Sequence, residues 1–125
     1  MEYIETNKAP LPLACYSQAV RAHGFLFISG QVPLDPRTKK LVDGGIAAQT
    51  KQALENVKAI VEAAGLSLKN VVKVTIFLKD IEDFKKMNEV YCTYFIKDPP
   101  ARTTIQARPA MPELLIEIEA IACLT

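Results

Sequence analysis

The order of periodic segments in this chain predicts an α+β fold, in which one mixed sheet carries two helices on one of its faces. Segments 46–64 and 81–95 space their apolar residues by three and four, which is the period of an amphipathic helix. Segments 71–78 and 116–122 are rich in β-branched residues and alternate in the manner of strands. Because both helical segments are long enough to join parallel strands, we expect a two-layer sandwich.

Length and composition are those of one ordinary domain, which we place at residues 1–125. The net charge of +1 gives no broad positive field for phosphate groups, which disfavours a general nucleic-acid binder. The three cysteines have no paired spacing, so they read as free thiols in a reducing compartment. The first ten residues are polar, unlike a signal peptide, and no run approaches the ~20 apolar residues of a membrane span. We therefore expect a cytoplasmic protein.

Three strand candidates precede the first helix, at 2–6, 20–22 and 25–29. The second is entered through residues 13–20, and His23-Gly24 suits a tight hairpin turn before the third, because glycine tolerates a positive φ. The stretch 31–45 holds several prolines and glycines, so we expect an irregular loop with room for a short strand at 40–42. Gly65 follows the first helix at the position of a C′ glycine.

The second half of the chain continues the alternation of helix and strand. Asp80 is a fair N-cap for the second helix, and Pro99-Pro100 ends it. We expect that helix to bury one apolar stripe, made of Ile81, Phe84, Met87, Tyr91 and Phe95. Two strands then close the chain.

These final two strands carry the charged side chains that first indicate a function. In the last strand, Glu117 and Glu119 share one face, and the opposite face is the core face, made of Ile116, Ile118, Ala120 and Ala122. In the strand before it, Arg102 points the same way as Thr104. Buried carboxylates are costly without partners. On a half-buried face that also carries a guanidinium, a carboxylate avoids the cost of being buried without a partner. This pattern predicts a polar binding cleft.

The sheet face turned away from the helices is semi-apolar, and we expect it to carry Val71, Phe77, Leu115 and Ile121. A monomer rarely exposes an apolar patch of that extent. We therefore predict that this face is buried by self-association into a closed ring.

Six motifs, spread in order over nearly the whole chain, carry a family resemblance. They are YSQAV (16–20), FISGQVPLDPRT (27–38), GGIAAQTKQALENVKAIVEAAG (44–65), VVKVTIFLKDIEDFKKMNEVY (71–91), PART (100–103) and IEIEAIA (116–122). The chain thereby resembles the RidA/YjgF family of reactive-intermediate deaminases, some members of which are named endoribonuclease L-PSP. The resemblance implies a chorismate-mutase-like sandwich that assembles as a homotrimeric barrel with a cleft between each pair of subunits.

The same resemblance implies a cofactor-free hydrolase, a 2-iminobutanoate/2-iminopropanoate deaminase that converts enamine and imine acids to 2-oxoacids and ammonia. Arg102 would hold the substrate carboxylate and Glu117 would position the water. Tyr16 would cap the pocket or share in proton transfer, although a plain packing role remains open for it. The remaining residues implied to line the cleft are Ser29, Gly30 and Asn88, with the backbone of Thr104.

The chain departs from the family's pattern at three places. Ala14-Cys15 stands where the family usually has Gly-Pro, residues 110–112 displace a proline by one position, and Thr104 stands where cysteine is common. These departures bear on substrate range rather than on fold. Beside Tyr16, we expect Cys15 to be buried and inert.

Other interpretations stay open at this point. Arg102 could form an ordinary ion pair with Glu117 or Glu119. An endoribonuclease that inhibits translation is one alternative function, although the chain has a single histidine, His23, and little net charge. A non-catalytic trimeric binder of small carboxylates is the other. No set of residues suggests a metal site.

Overall fold

A computed structural model describes residues 1–124 of the chain. Within them the elements follow the predicted order. They are β1 (Glu2–Ile4), β2 (Ala19–Ala22), β3 (Phe25–Gln31), α1 (Gly45–Ala63), β4 (Val71–Leu78), α2 (Phe84–Tyr94), β5 (Ala101–Gln106) and β6 (Ile116–Cys123). The α+β class predicted from the sequence is confirmed.

All of these strands form one mixed sheet in the order β1-β2-β3-β6-β4-β5. Strands β4 and β5 are parallel and are joined by α2, whereas the other neighbouring pairs are antiparallel. Strand β6 is antiparallel to both β3 and β4, so these two run parallel to each other with β6 between them. The connection through α1 therefore also joins parallel strands, as expected.

Both helices cover the same face of the sheet, and the core lies between them and it. The core face of β6 is the predicted one, because Ile116, Ile118, Ala120 and Ala122 are all buried. They pack in one cluster with the apolar stripe of α1, which includes Ala53, Leu54, Val57, Ile60 and Val61, and with Met87 and Tyr91 of α2. Each large aliphatic side chain buried in this way contributes about 1.5–3 kcal/mol.

Two predicted glycine positions are confirmed by backbone geometry. In the β2–β3 hairpin, His23 and Gly24 both have positive φ, at 51° and 80°, as a two-residue turn of the I′ kind requires. At the end of α1, Gly65 has φ 81°; its N–H donates to Glu62 O and that of Leu66 donates to Val61 O. These two bonds form a Schellman motif, which satisfies carbonyls that the helix end would leave free.

The chain is less regular than predicted before α1 and at the start of α2. Residues 13–17 lead into β2 without forming a strand, as expected, but residues 40–42 contribute only an isolated bridge between Leu34 and Leu41. The Asp80 carboxylate accepts a bond from Glu82 N, so it caps a 3₁₀ turn at Ile81–Asp83 rather than α2 itself. Ile81, which lies in this turn, and Phe84 are exposed, whereas Met87, Tyr91 and Phe95 of the expected stripe are buried.

The uncovered face of the sheet exposes aromatic side chains. Tyr3, Phe25 and Phe27 are 64%, 40% and 46% exposed. Ile121 of β6 pairs with Phe27 and lies on this face, as predicted, but Val71 does not. A register shift between β4 and β6 at the start of β4 turns Val71 into the core, where it is buried.

Candidate active site

A β-bulge sets the first half of the site. Along β3, Ile28 pairs with Ala120 and Gln31 pairs with Ile118, so three residue steps on β3 face two on β6. The irregular residues are Ser29 and Gly30. Bulges of this kind re-aim side chains and are common beside active sites.

Gly30 of the bulge lies directly under the side chain of Glu117. A Cβ atom built on Gly30 would lie 2.1 Å from Glu117 Oε2 and 2.9 Å from its Cδ. No side chain fits in that space without displacing the carboxylate. Gly30 is therefore required by close approach and not by a left-handed backbone.

Four of the residues implied by the family resemblance line one cavity of about 440 Å³, namely Tyr16, Ser29, Gly30 and Glu117. The rest of its wall is mainly apolar and includes Leu13, Val32, Leu34, Met111 and Leu114. Tyr16 is 52% exposed and forms part of the rim. The Ser29 hydroxyl donates to Ser17 O at 2.6 Å, so its proton is already engaged. A larger depression of about 600 Å³ beside α1 contains none of the predicted site residues.

The environment of Glu117 suits it to accept a proton. Burial raises the pKa of its carboxyl group, and the neighbouring charge of Glu119 raises this pKa further. A carboxylate with a raised pKa is a stronger base than a free one. Glu119 itself is exposed on the same face.

Three buried amide side chains hold loops at or near this cavity, and none of them was predicted from the sequence. Each bonds at 2.7–3.4 Å to main-chain groups of one segment: Gln18 to residues 6–10, Asn56 to residues 32–34, and Gln49 to residues 113–115. Val32, Leu34 and Leu114 of the cavity wall are thus held by side chains from the core. The sequence does contain a signal for two of these amides, because Gln49 and Asn56 occupy positions in the apolar stripe of α1.

Arg102 forms a second cluster, on the helix-covered side of the sheet. It pairs with the buried Val74 across β4 and β5, and its side chain rises beside α2. Its Nη1 donates to Asn88 Oδ1 at 2.8 Å. Its Cζ lies 4.6 Å from the ring centroid of Tyr91 and 5.5 Å from that of Phe84. These three α2 residues are spaced by four and three, so one face of the helix surrounds the guanidinium.

The prediction that Arg102 and Glu117 share one face is wrong within a single chain. Glu117 pairs with Phe77 on the uncovered side, whereas Arg102 lies on the side of Val74. The two residues belong to separate clusters, and no ion pair joins them. Among residues 1–124, no carboxylate lies within 4 Å of Arg102.

The other predicted residues divide between the two clusters. Thr104 lies on the Arg102 side of β5, opposite Ile76, and is half-buried. Cys15 is exposed rather than buried, because the segment around it is irregular.

Across the described chain, no three His, Cys, Asp or Glu residues are grouped so as to hold a metal ion. No helix in that part of the chain is long and apolar enough to cross a membrane.

Comparison with known proteins agrees with this fold. Residues 6–124 match the family described as Endoribonuclease L-PSP. A RutC family protein of Pyrococcus horikoshii is 55% identical over 97% of this chain and 96% of its own length. The rat 2-iminobutanoate/2-iminopropanoate deaminase is 47% identical over 95% of this chain and 87% of its own length.

Solved structures give the same result. RidA from an Antarctic Psychrobacter has a TM-score of 0.92 at 43% identity, covering 98% of this chain and 99% of its own. Escherichia coli TdcF with bound serine has a TM-score of 0.95 at 38% identity and covers both chains fully. With its family match, its relatives and its fold in agreement, this chain belongs to the RidA/YjgF family, also described as Endoribonuclease L-PSP.

Proposed function

We propose that this protein hydrolyses 2-imino acids, such as 2-iminobutanoate and 2-iminopropanoate, and their enamine tautomers to 2-oxoacids and ammonia. One observation carries the proposal: within residues 1–124 the Arg102 guanidinium has no carboxylate partner, and the half-buried Glu117 can act as a base. The name of the rat relative supports it. The imine carbon is itself electrophilic, so the reaction needs only a water molecule, a bound carboxylate and proton transfer.

Arg102 is the carboxylate anchor in this proposal. A guanidinium has five N–H donors in a planar fork, and Asn88 uses one of them. The remaining donors can bind a carboxylate with two parallel bonds. The rings of Phe84 and Tyr91 restrict the fork without competing for these donors.

Glu117 is the proton acceptor. It takes a proton from water as the water oxygen attacks C2 of the iminium group, which gives a tetrahedral carbinolamine. The same carboxyl group returns the proton to nitrogen. As the C–N bond breaks and ammonia leaves, the carboxylate takes the proton of the carbinolamine hydroxyl, so that the C=O bond of the 2-oxoacid forms, and the departing ammonia then carries that proton away as ammonium. Main-chain groups of Gly30 and Thr104 are available to the intermediate, and Tyr16 can close the rim or share in proton transfer.

The site requires a second copy of the chain, because Arg102 and Glu117 lie on opposite sides of the sheet. We therefore propose that Arg102 of one subunit completes the Glu117 cavity of its neighbour, in the homotrimer that the family resemblance implies. The exposed Phe25 and Phe27 on the uncovered face support an assembly that buries this face. TdcF, whose structure contains serine, supports a site for an amino-acid-sized carboxylate.

The catalytic test measures ammonia and 2-oxoacid release from 2-iminopropanoate generated in situ, for wild type, Arg102→Ala and Glu117→Gln. Loss of the anchor should raise KM about 100-fold or more, since two charge-assisted bonds are lost. Loss of the base should lower kcat about 10²–10⁴-fold while leaving KM nearly unchanged. Full activity of Arg102→Ala would overturn the proposal.

The assembly test mixes the two inactive variants. If each site takes Arg102 and Glu117 from different subunits, random reassembly of equal amounts after reversible dissociation restores about one quarter of the sites. If both residues came from one chain, the mixture would stay inactive. Each variant reassembled alone is the matched control.

RNA cleavage is a second candidate, favoured by the family's description as an endoribonuclease. The chain offers one histidine, the exposed His23 of the hairpin turn, and a net charge of +1. Cleavage that persists through further purification, and in both Arg102→Ala and Glu117→Gln, would favour this function over deamination. Thermal stabilisation by a 2-oxoacid without any ammonia release would instead indicate a non-catalytic binder of small carboxylates.

A further inference from the structure

Tyr91 has a hydroxyl group that the chain leaves without a partner. The residue is 4% exposed, and its ring packs on Phe95 with centroids 4.8 Å apart. Its Oη is buried and has no hydrogen bond within residues 1–124. A buried hydroxyl without a bond costs stability that a phenylalanine at the same position would not. Packing alone therefore does not account for a tyrosine here.

The position of this hydroxyl narrows what its partner can be. The Arg102 guanidinium lies over the same ring at 4.6 Å. Burial raises the pKa of Tyr91, and the positive charge of Arg102 opposes part of the rise, so the hydroxyl is protonated at neutral pH beside a cation. A guanidinium only donates hydrogen bonds, so even at this distance Arg102 gives the Tyr91 proton no acceptor. The Tyr91 proton therefore lacks an acceptor, and the positive charge of Arg102 favours an anionic one.

A second observation points to the same place. Buried side-chain polar atoms without a hydrogen-bond partner are few in the described chain, and Thr104 Oγ1 is another. Thr104 is two residues beyond Arg102 and on the same side of β5. Two unpartnered hydroxyls thus accompany one guanidinium that has no carboxylate.

We propose that the Tyr91 hydroxyl is a further hydrogen-bond donor to the carboxylate group that Arg102 holds. This inference rests on the proposed function, since it assigns Arg102 as the anchor. In the free protein Tyr91 is an unmet donor, and in the complex it bonds to a carboxylate oxygen. Tyr91 is then a binding residue: its buried, unbonded hydroxyl lowers the stability of the free protein, and the bond to the ligand offsets that loss.

The test is Tyr91→Phe, which removes one oxygen and keeps the ring under Arg102. Its melting temperature should equal or exceed that of wild type, because an unpartnered buried hydroxyl is gone. Its Kd for 2-oxobutanoate, measured by calorimetry, should rise about 10- to 100-fold, as expected for a lost bond to a charged group. KM for the imino acid should rise in step with kcat nearly unchanged, since the carboxylate is held alike in the ground state and the transition state.

Tyr94→Phe is the matched control on the same helix. The Tyr94 hydroxyl donates to Glu55 Oε2 at 2.6 Å, so its removal should lower the melting temperature and leave Kd and KM unchanged. A Tyr91→Phe protein whose Kd stays within twofold of wild type would overturn the inference. A lower melting temperature for Tyr91→Phe would also overturn it, because the hydroxyl would then have a stabilising partner without ligand.

The Arg102→Ala variant distinguishes a failure of the role assigned to Tyr91 from a failure of the proposed function, on which that role rests. If Arg102→Ala loses 2-oxobutanoate binding and Tyr91→Phe does not, only the role of Tyr91 fails. If Arg102→Ala binds as wild type does, the carboxylate anchor itself is wrong and both proposals fail.

Discussion

Replacing Gly30 by alanine tests whether the position of the Glu117 carboxylate matters for the proposed reaction. The added Cβ would lie 2.1 Å from Glu117 Oε2, whereas ordinary van der Waals contact begins at 3.4 Å. The carboxylate must therefore move by about 1.3 Å. The clash falls on the far end of a flexible side chain, so the backbone of β3 can stay in place.

The expected loss follows from that displacement. A misplacement of about 1 Å at a reacting group can cost about 100-fold in rate. We therefore expect kcat of Gly30→Ala to fall about 100-fold. The free energy of unfolding should change by less than about 1 kcal/mol, because no core contact is lost and alanine suits a strand better than glycine does.

Gly65→Ala is the control, because it should lower the free energy of unfolding and leave kcat unchanged, the opposite of what we expect for Gly30→Ala. Nothing lies within 4 Å of a Cβ at Gly65, but its φ of 81° is unfavourable for alanine. Stability should fall by about 1–2 kcal/mol while kcat stays at the wild-type value. Imine hydrolysis and urea unfolding, measured on both variants, give the four values needed. A Gly30→Ala enzyme with kcat within threefold of wild type would refute the argument that Glu117 acts from this position.

Three further predictions concern the groups around this carboxylate. Glu119→Gln removes a charge that raises the pKa of Glu117, so the acid limb of the kcat–pH profile should move to lower pH; an unmoved limb would mean that another group titrates there. Glu117→Gln should be more stable than wild type at pH values above the raised pKa of Glu117, and equally stable well below it. Folding raises this pKa, so wild type loses stability as the pH rises from the unfolded-state pKa through the folded-state pKa of Glu117. Melting curves of both proteins at several pH values measure this difference in stability. Asn56→Ala should lower the free energy of unfolding by about 2–4 kcal/mol, since it leaves the carbonyls of Val32 and Leu34 unbonded, and a loss below about 0.5 kcal/mol in urea unfolding would show that solvent replaces the amide.

The elements with strong periodicity or turn chemistry were predictable from the sequence. The helix expected at 46–64 forms at Gly45–Ala63, and the final strand expected at 116–122 forms at Ile116–Cys123. The turn at His23-Gly24 follows from its residue types alone. In each case a local rule and the tertiary fold require the same backbone.

The relation between Arg102 and Glu117 was not predictable in this way. Alternation shows which residues of one strand share a face, but it does not show how two strands are aligned. The parallel register of β4 and β5, which puts Val74 opposite Arg102, decides that Arg102 faces α2. The family resemblance identified both residues and gave no information about their sides of the sheet.

The buried amides are a second feature that was not predicted, although the sequence of α1 contains a signal for two of them. Gln49 and Asn56 fall at three- and four-residue intervals among Ile46, Ala53 and Ile60, in the centre of the apolar stripe of α1. A polar residue at such a position must find a partner or destabilise the core. Its presence therefore predicts a bond to some main-chain segment, although only the structure shows which one.

The bonding state of each buried polar group separates those that support the fold from those assigned to the site. The amides of Gln18, Gln49 and Asn56 all have main-chain partners, and they hold loops. Among residues 1–124, the hydroxyls of Tyr91 and Thr104 have no hydrogen-bond partner and the half-buried Glu117 has no counter-ion, although each arrangement costs stability in the free chain. Thr50 Oγ1, inside α1, is unpartnered as well and lies outside this pattern. In the proposed assembly, the ligand and the neighbouring subunit would supply the bonds that these groups lack, which is why we assign them to the site and not to the fold.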